Sequence, residues 1–507
     1  MMPSPLSHSV LKILSDRFHA LSAKEGSVLK RVPASPWTRA LFRAASVCAL
    51  TALTACDLGL LDVDDSGIIV PEDLERAGPA AIPTIVNGMV GDYHAAVSGI
   101  VRYSALLTDE MIAADNFPTR IEVDLRRIDP ANMTLTTEMY TPLHRARFHA
   151  DTTAFSFESH LDEPRFAGAE AELQEGIALA RLYGGYTRLW LAEHYCQSIL
   201  QSRPGEEGEV EPVLPADRMR DALSLLEEAG ALAVEHGFAG IHAAALVGQA
   251  RARLWLGEFA EAGAVAAQVP RAFVRWVEFS SNDPSQFNMV YAFTWGDTER
   301  IRWSIGDGTV GMRGHERWAH FEKFTELNLI RRTPPGFQAF NSSIPVNLQT
   351  VYDRPDRGIL MASGSEARLI EAEVAVREGR TETAEEIVND LRSDFSARAA
   401  SRWGIETPPP GSELEPLSMT GNLDADLRLV AAERARELWL SGDRLTTARR
   451  LRIDPEVEVD LFPPVKGDGL GGGDDIAFPI VQRELDNNPH LGGEDACPVG
   501  QSRGEWH

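Results

Sequence analysis

From about residue 71 onward, apolar positions recur at intervals of three and four far more often than they alternate, which is the spacing of amphipathic helices. Within 169–200 the series Ile177, Ala180, Leu182, Tyr186, Leu189, Trp190 and Tyr195 predicts one long helix. A second is expected to start at an Asp217 cap and to run through Ala222, Leu225, Leu226 and Ala229. Segments 241–256 and 258–269 make a pair around Gly257 that Pro270 stops. Segments 363–378 and 381–396 make another around Gly379, and 424–441 supplies a last long helix. The expected fold class is mostly α, with few short strands.

The pairs share a small-residue logic. Ala243, Leu246, Gly248 and Arg251, followed by Leu256-Gly257, Phe259, Ala262 and the closing Pro270, resemble a tetratricopeptide unit. In such a unit small residues let two antiparallel helices approach closely. Ala367, Ile370, Ala372-Glu373, Gly379 and Ala384 echo it at an irregular spacing, so the expectation is a helical-pair scaffold with large insertions.

The main insertion, about 271–361, changes the picture. Its stretch 273–324 is about a fifth aromatic, against 7% for the chain, and Pro284, Gly306, Gly308, Gly311 and Pro334-Pro335-Gly336 break it into irregular loops. Flat rings rimmed by amides, carboxylates and guanidiniums are what a sugar surface requires. Trp276, Trp295, Trp303 and Trp318, with Asn282, Asp283, Gln286, Asn288, Asp297 and Arg302 between them, are therefore the candidate ligand-binding set. The competing reading for each ring is core beneath the loops.

At the other end of the chain, Leu53-Thr54-Ala55-Cys56 has the form of a bacterial lipobox. Lys30, Arg31, Arg39 and Arg43 precede a short apolar run, 44–53, as in a secretory signal, and that run is too short for a ~20-residue bilayer span. The expected organisation is a leader at 1–55 with an extended N-terminus, a lipidated acidic tether at 56–70, and one domain at 71–507. The whole chain carries a formal charge of −26, and its leader holds seven Lys/Arg against two Asp/Glu, so the exported part is more acidic still. Such a body repels nucleic acid and anionic headgroups; membrane attachment would come from the acyl chains on Cys56. Cys196 and Cys497 then remain as the two thiols, in a compartment that permits disulfides. Either they pair, pinning the tail to a mid-chain helix, or Cys196 is a buried inert thiol and Cys497 an exposed one.

Other chemistry is sparse. His315-Glu316 with His320 misses the zinc-protease spacing, because histidines at i and i+5 point apart on a helix. Asp62, Asp64, Ser66, Gly67 and Asp73 follow the spacing of a calcium loop but lack an entering helix, and read as a solvated spacer. The glycine run 469–473 does not join a strand to a helix and so cradles no phosphate. No nucleophile motif is present, and no cofactor is expected.

Two C-terminal segments carry a family resemblance. Glu433-Arg434-Ala435-Arg436-Glu437-Leu438-Trp439-Leu440-Ser441-Gly442-Asp443-Arg444, ending in Arg449-Arg450, resembles the signature helix of the SusD/RagB outer-membrane nutrient-binding lipoproteins. Phe478-Pro479-Ile480 with Glu484, then Asn488-Pro489 and Leu491, resembles the same family's closing motif. The order of lipobox, early Asp109-Glu110, helix pairs, aromatic insertion and closing motifs also agrees. Leu445-Thr446-Thr447 stands where the family has an aromatic pair and an aspartate, and Val481 replaces a second proline, which marks a divergent branch. The resemblance implies a non-enzymatic lid on a SusC-like TonB-dependent transporter, anchored in the outer membrane and facing outward. Such a lid captures oligosaccharides or other oligomers such as peptides. Glu433, Arg436, Glu437, Arg444 and Arg449 read as a charged network that docks neighbouring helices. The alternative function is a lipid-anchored helical-repeat factor that binds protein segments in the groove of its helix pairs.

Overall fold

Small residues decide how the helices meet. The structure is a computed structural model and describes residue 74 and residues 76–196, 198–199, 212–296, 300–307, 320–332, 338–463 and 472–488. These lie in the unit Ile69–His507. Its helices of eight residues or more are α1 (Ile82–Leu107), α2 (Thr141–His160), α3 (Glu170–His194), α4 (Pro215–His236), α5 (Ala239–Trp255), α6 (Phe259–Ala266), α7 (Gly364–Arg377), α8 (Thr381–Ser393), α9 (Phe395–Trp403), α10 (Leu423–Glu437) and α11 (Asp443–Ile453). On α3, Gly176 lies so close to Phe157 of α2, and Gly185 so close to Leu226 of α4, that a Cβ would sit 2.3 and 2.6 Å from those side chains. Gly248 of α5 meets the same Leu226 at 2.9 Å. The glycines thus set the spacing of α2 through α5, and Leu226 is shared by two interfaces.

The pairs α5–α6 and α7–α8 turn at Gly257 (φ 77°) and Gly379 (φ 71°), where the left-handed backbone favours glycine. Ser363 caps α7 by accepting from the Glu366 amide at 3.2 Å. The helix at α4 differs from expectation at its start: it begins two residues before Asp217, at Pro215, whose missing N–H suits a first-turn position. Asp217 instead sits in the first turn and pairs with Arg220. Helices α1, α2 and α9 were not among the expected elements. Most of the C-terminal half of α1 is buried all round, from Ala96 to Leu107, which erases the polar stripe that periodicity needs.

The insertion is closed at its base by an antiparallel ladder of Val274–Val277 with Ile359–Ser363, Leu360 opposite Trp276. Inside it, short strands pair locally: Ile330–Arg332 with Asn347–Gln349, and Arg300–Ile301 with Gln338–Ala339. The mostly α scaffold with an irregular, loop-rich insertion is as the hydrophobic pattern predicts. No helix among the described residues is long and apolar enough to cross a membrane.

The end of the chain is stitched to its first half. Phe478 forms a parallel bridge with Tyr195; its N–H donates to His194 O at 2.7 Å and its carbonyl accepts from Cys196 N at 3.1 Å. Arg126 donates to the carbonyls of Pro463, Asp474 and Asp475, and Asp475 accepts the Ile128 amide at 2.7 Å. Cys196 is buried and disulfide-bonded. Its partner lies outside the described residues, as do Cys56, Trp318, His315, Pro489, Cys497 and the 62–73 spacer.

Candidate functional site

The charged residues of the 433–450 segment are placed by a break in it. Expected as one helix and its exit, the segment is two helices, α10 and α11, joined by Leu438–Gly442. Leu440 (φ 54°) and Gly442 (φ 90°) take left-handed backbone there. The Leu440 amide donates to Glu110 Oε1 at 3.0 Å and its carbonyl accepts from Tyr352 Oη at 3.0 Å. From this turn the ion pairs radiate. Arg444 meets Asp109 with two bonds of 2.8 and 2.9 Å. Arg434, quoted in the motif but not assigned to the charged network, pairs with Asp443, and Glu433 accepts from Arg392 and Arg436. Glu437 accepts from Arg398 and Arg402, which projects it towards α9. Arg449 donates to the carbonyls of Ala192, Glu193 and Tyr195 at the end of α3. These groups are buried and engaged with protein, so they weld helices and offer no ligand a free face. Pro479 and Asn488 belong to the closing segment, where the Asn488 amide donates to Glu484 O.

The tryptophans part company. Trp303 is fully buried between Tyr103 and Phe293, at centroid distances of 5.6 and 4.9 Å, and is a core residue and not a binding platform. The pattern around it read as a rim because its neighbours are polar, but Trp303–Ser304 pairs with Ile112–Ala113 and is covered by α1. Trp295 is half-buried and its Nε1 donates to Gln349 O at 2.7 Å. Trp276 is half-buried in the closing ladder and lines a cleft of about 510 Å³ against α8 and α9. Asn288 and Asp283 cap short helices, so both serve local backbone.

What the strands do bring together is a surface the sequence reading missed. Ala114 N donates to Arg302 O at 2.7 Å, Phe340 N to Ile301 O at 3.0 Å, and Asn341 N to Ala114 O at 2.9 Å. Residues 112–117, 300–304 and 338–341 therefore lie side by side, across the seam between scaffold and insertion. On this seam Phe117 is 50% exposed, with the guanidinium of Arg120 4.6 Å from its ring centre. Arg302 lies 4.5 Å over Phe340, and Asn116 Nδ2 donates to Phe340 O at 3.4 Å. Nearby Met133 is 64% exposed, held by the Thr119–Thr134 hydroxyl contact of 2.6 Å.

A buried layer fixes the seam from beneath. Phe293 sits among Arg102, Arg120 and Arg302 at 4.8, 4.7 and 5.8 Å. Glu138 accepts from Arg102 Nη1 at 2.9 Å and Tyr103 Oη at 2.7 Å, and lies 3.5 Å from Arg120. Burial works to raise its pKa, but the two guanidiniums and the Tyr103 hydroxyl outweigh it and hold the carboxyl below its usual range. Arg302 is half-buried and makes no ion pair among the described residues. Of this set Arg302 figured in the sequence reading as a candidate ligand-binding residue and Phe293 only as one of the insertion's aromatics. Phe117 and Phe340 escaped it because each stands alone in a polar run, and a lone aromatic announces nothing until strand pairing places two together. No group of residues among those described could hold a metal ion.

Solved structures share this architecture. A SusD superfamily protein from Bacteroides thetaiotaomicron VPI-5482 is 14% identical, with a TM-score of 0.58 over 83% of this chain and 99% of that one. One from Bacteroides fragilis is 14% identical, with a TM-score of 0.57 over 82% and 99%. A SusD-like carbohydrate binding protein from Bacteroides vulgatus ATCC 8482 is 13% identical, with a TM-score of 0.56 over 81% and 97%. No protein-family model matches the sequence, and no curated protein does. At such identities the likeness establishes the fold: this chain has the SusD fold.

Proposed function

We propose that the protein is a non-enzymatic capture lipoprotein that binds oligosaccharides on the seam formed by Asn116, Phe117, Arg302 and Phe340. The observation that carries this reading is the half-exposed Phe117 ring beside the Asn116 amide and the stacked Arg302–Phe340 pair, held by paired backbone on a SusD fold. Rings take the C–H faces of sugars, while guanidinium and amide groups serve their hydroxyls. An open platform also suits an oligomer, which can extend past both edges. In this reading Cys56 anchors the chain in the outer membrane, facing outward, and the domain acts as the lid of a SusC-like TonB-dependent transporter. Binding by the helix-pair groove, as an assembly factor would need, is less well supported, because α10 and α11 pack against α7 and α3 where such a groove would open.

The test is glycan-array screening followed by calorimetry on the winning oligosaccharide. Phe117→Ala and Arg302→Ala should each weaken binding about tenfold, equivalent to ~1.4 kcal/mol, with unchanged thermal midpoints. Undiminished affinity in both variants would remove the seam from consideration. Detergent-extracted membranes should yield the protein together with a large β-barrel; repeated isolation without one would sink the lid assignment.

A further inference from the structure

The seam departs from the rest of the chain in its charge. The chain holds 75 Asp and Glu against 49 Lys and Arg, yet segments 112–117, 300–304 and 338–341 hold Asp115 alone against Arg300 and Arg302. Arg300 is exposed and Arg302 half-buried, and neither makes an ion pair among the described residues. Their guanidinium carbons lie 5.8 and 4.5 Å from the centre of the Phe340 ring, so one aromatic holds two cations. We infer that the seam selects uronate-bearing oligosaccharides, a carboxylate meeting Arg300 and Arg302 while the Phe117 ring takes a sugar face. This deepens the reading of the seam as a glycan platform and rests on it.

The carboxylates nearby are engaged elsewhere. Of those in 112–124, Asp115 is bound to Arg120 at 3.0 Å and to the Phe117 amide at 3.2 Å. Glu122 accepts from Asn132 Nδ2 at 2.9 Å, and Asp124 from the Ala113 amide at 3.0 Å. In the layer beneath, Glu138 is shared by Arg102, Arg120 and Tyr103. None of the four pairs with Arg300 or Arg302, whose charges are left for a ligand. Stacking on a ring holds a guanidinium in place without using its N–H groups, and its planar fork fits a carboxylate with two parallel bonds. The net charge of −26 does not cancel this, because at physiological salt exposed charges farther away than about 8 Å are largely screened. At contact distance the two guanidiniums decide, and they favour an acidic sugar over a neutral one of the same shape. The exposed Asn116 and Gln338 remain for its hydroxyls.

An array of uronate oligosaccharides, tetragalacturonate among them, each printed beside its carboxyl-reduced form, tests the selection on the full mature chain. The best-bound acidic member should exceed its reduced partner about tenfold in affinity, the margin of a charged over a neutral hydrogen bond. Added salt should shrink that ratio. Arg300→Gln with Arg302→Gln should bring the ratio near one at an unchanged thermal midpoint. Phe117→Ala should weaken both members of the pair alike and keep the ratio. Reduced forms bound as well as their acidic partners, or a ratio that survives the double change, would overturn the selection and leave the platform standing. Acidic members that bind none of the protein, or that bind all these variants equally, would overturn selection and platform together.

Discussion

Arg444 and Asp109 are 335 residues apart in sequence, yet they form a two-bond pair with side chains 7% and 8% exposed. At this scale the decisive quantity is desolvation: each charge is tolerated only because the other is there. Asp109→Ala or Arg444→Ala should therefore cost about 3–5 kcal/mol, read as a shift in the urea midpoint. The double replacement Asp109→Leu with Arg444→Met should lose clearly less than either single change, because no charge is then stranded. Trp303 makes the complementary point about legibility. Its chemistry suited a sugar platform, but a residue name carries no information about which face of a two-residue strand is covered by α1. That Glu433, Arg436, Glu437 and Arg444 would pair was legible, because charges in an otherwise helical, apolar setting must find partners, whereas Arg449 binds three backbone carbonyls at the end of α3. The partners of those four were not; Asp109-Glu110 entered the sequence reading only as one part of the family's order of segments.

Among the elements, the turn between α10 and α11 does the most. Running 433–450 as one helix would be consistent with its composition, since Leu438, Trp439 and Leu440 are good helix formers. Tertiary contacts override that preference: Glu110 and Tyr352 take the Leu440 backbone groups, and Gly442 meets the Trp190 ring, where a Cβ would sit 3.1 Å from it. Gly442→Ala combines left-handed strain with this contact, whereas Gly421→Ala (φ 77°) has open space around it. We expect Gly421→Ala to cost about 1 kcal/mol and Gly442→Ala about 2–3 kcal/mol more, measured by thermal unfolding of both. Helix pairs around Gly257 and Gly379 were readable because glycine and small residues mark close approach. The seam was not, since it depends on three segments far apart in sequence whose strands are each only two residues long.

For the whole molecule, buried titratable groups should shape stability against pH. Burial pushes Glu110 up to about 8, Glu366 to about 7 and Asp475 to about 6. In the unfolded chain these carboxyls lose their protons near 4, so between that value and the folded value the native state binds more protons and stability falls as pH rises. Burial lowers His94 to about 4, and His144 and His320 to about 3. Unfolded histidines charge below about 6.5 while the buried ones do not, so stability also falls as pH drops below that point. The two effects predict a dome in the thermal midpoint across pH 4–9, highest in the mildly acidic range, and Glu110→Gln should flatten its alkaline side. Cys196 adds a covalent term. We propose Cys497 as its partner; non-reducing peptide mapping should recover that linked pair, and reduction should lower stability by about 2–4 kcal/mol.

The stitching of 472–488 onto Arg126–Pro130 and His194–Cys196 has a temporal side. A chain made and delivered from its N-terminus presents α1, α2 and α3 hundreds of residues before the segment that covers them arrives. Until then Tyr195 lacks the Phe478 ring beside it, and Arg126 lacks the three carbonyls it binds. Segment 472–488 thus acts as a latch on the earliest helices, and a chain that ends before Phe478 is expected to be cut faster by added protease than the full chain. The design makes completeness of the polypeptide a condition of its survival.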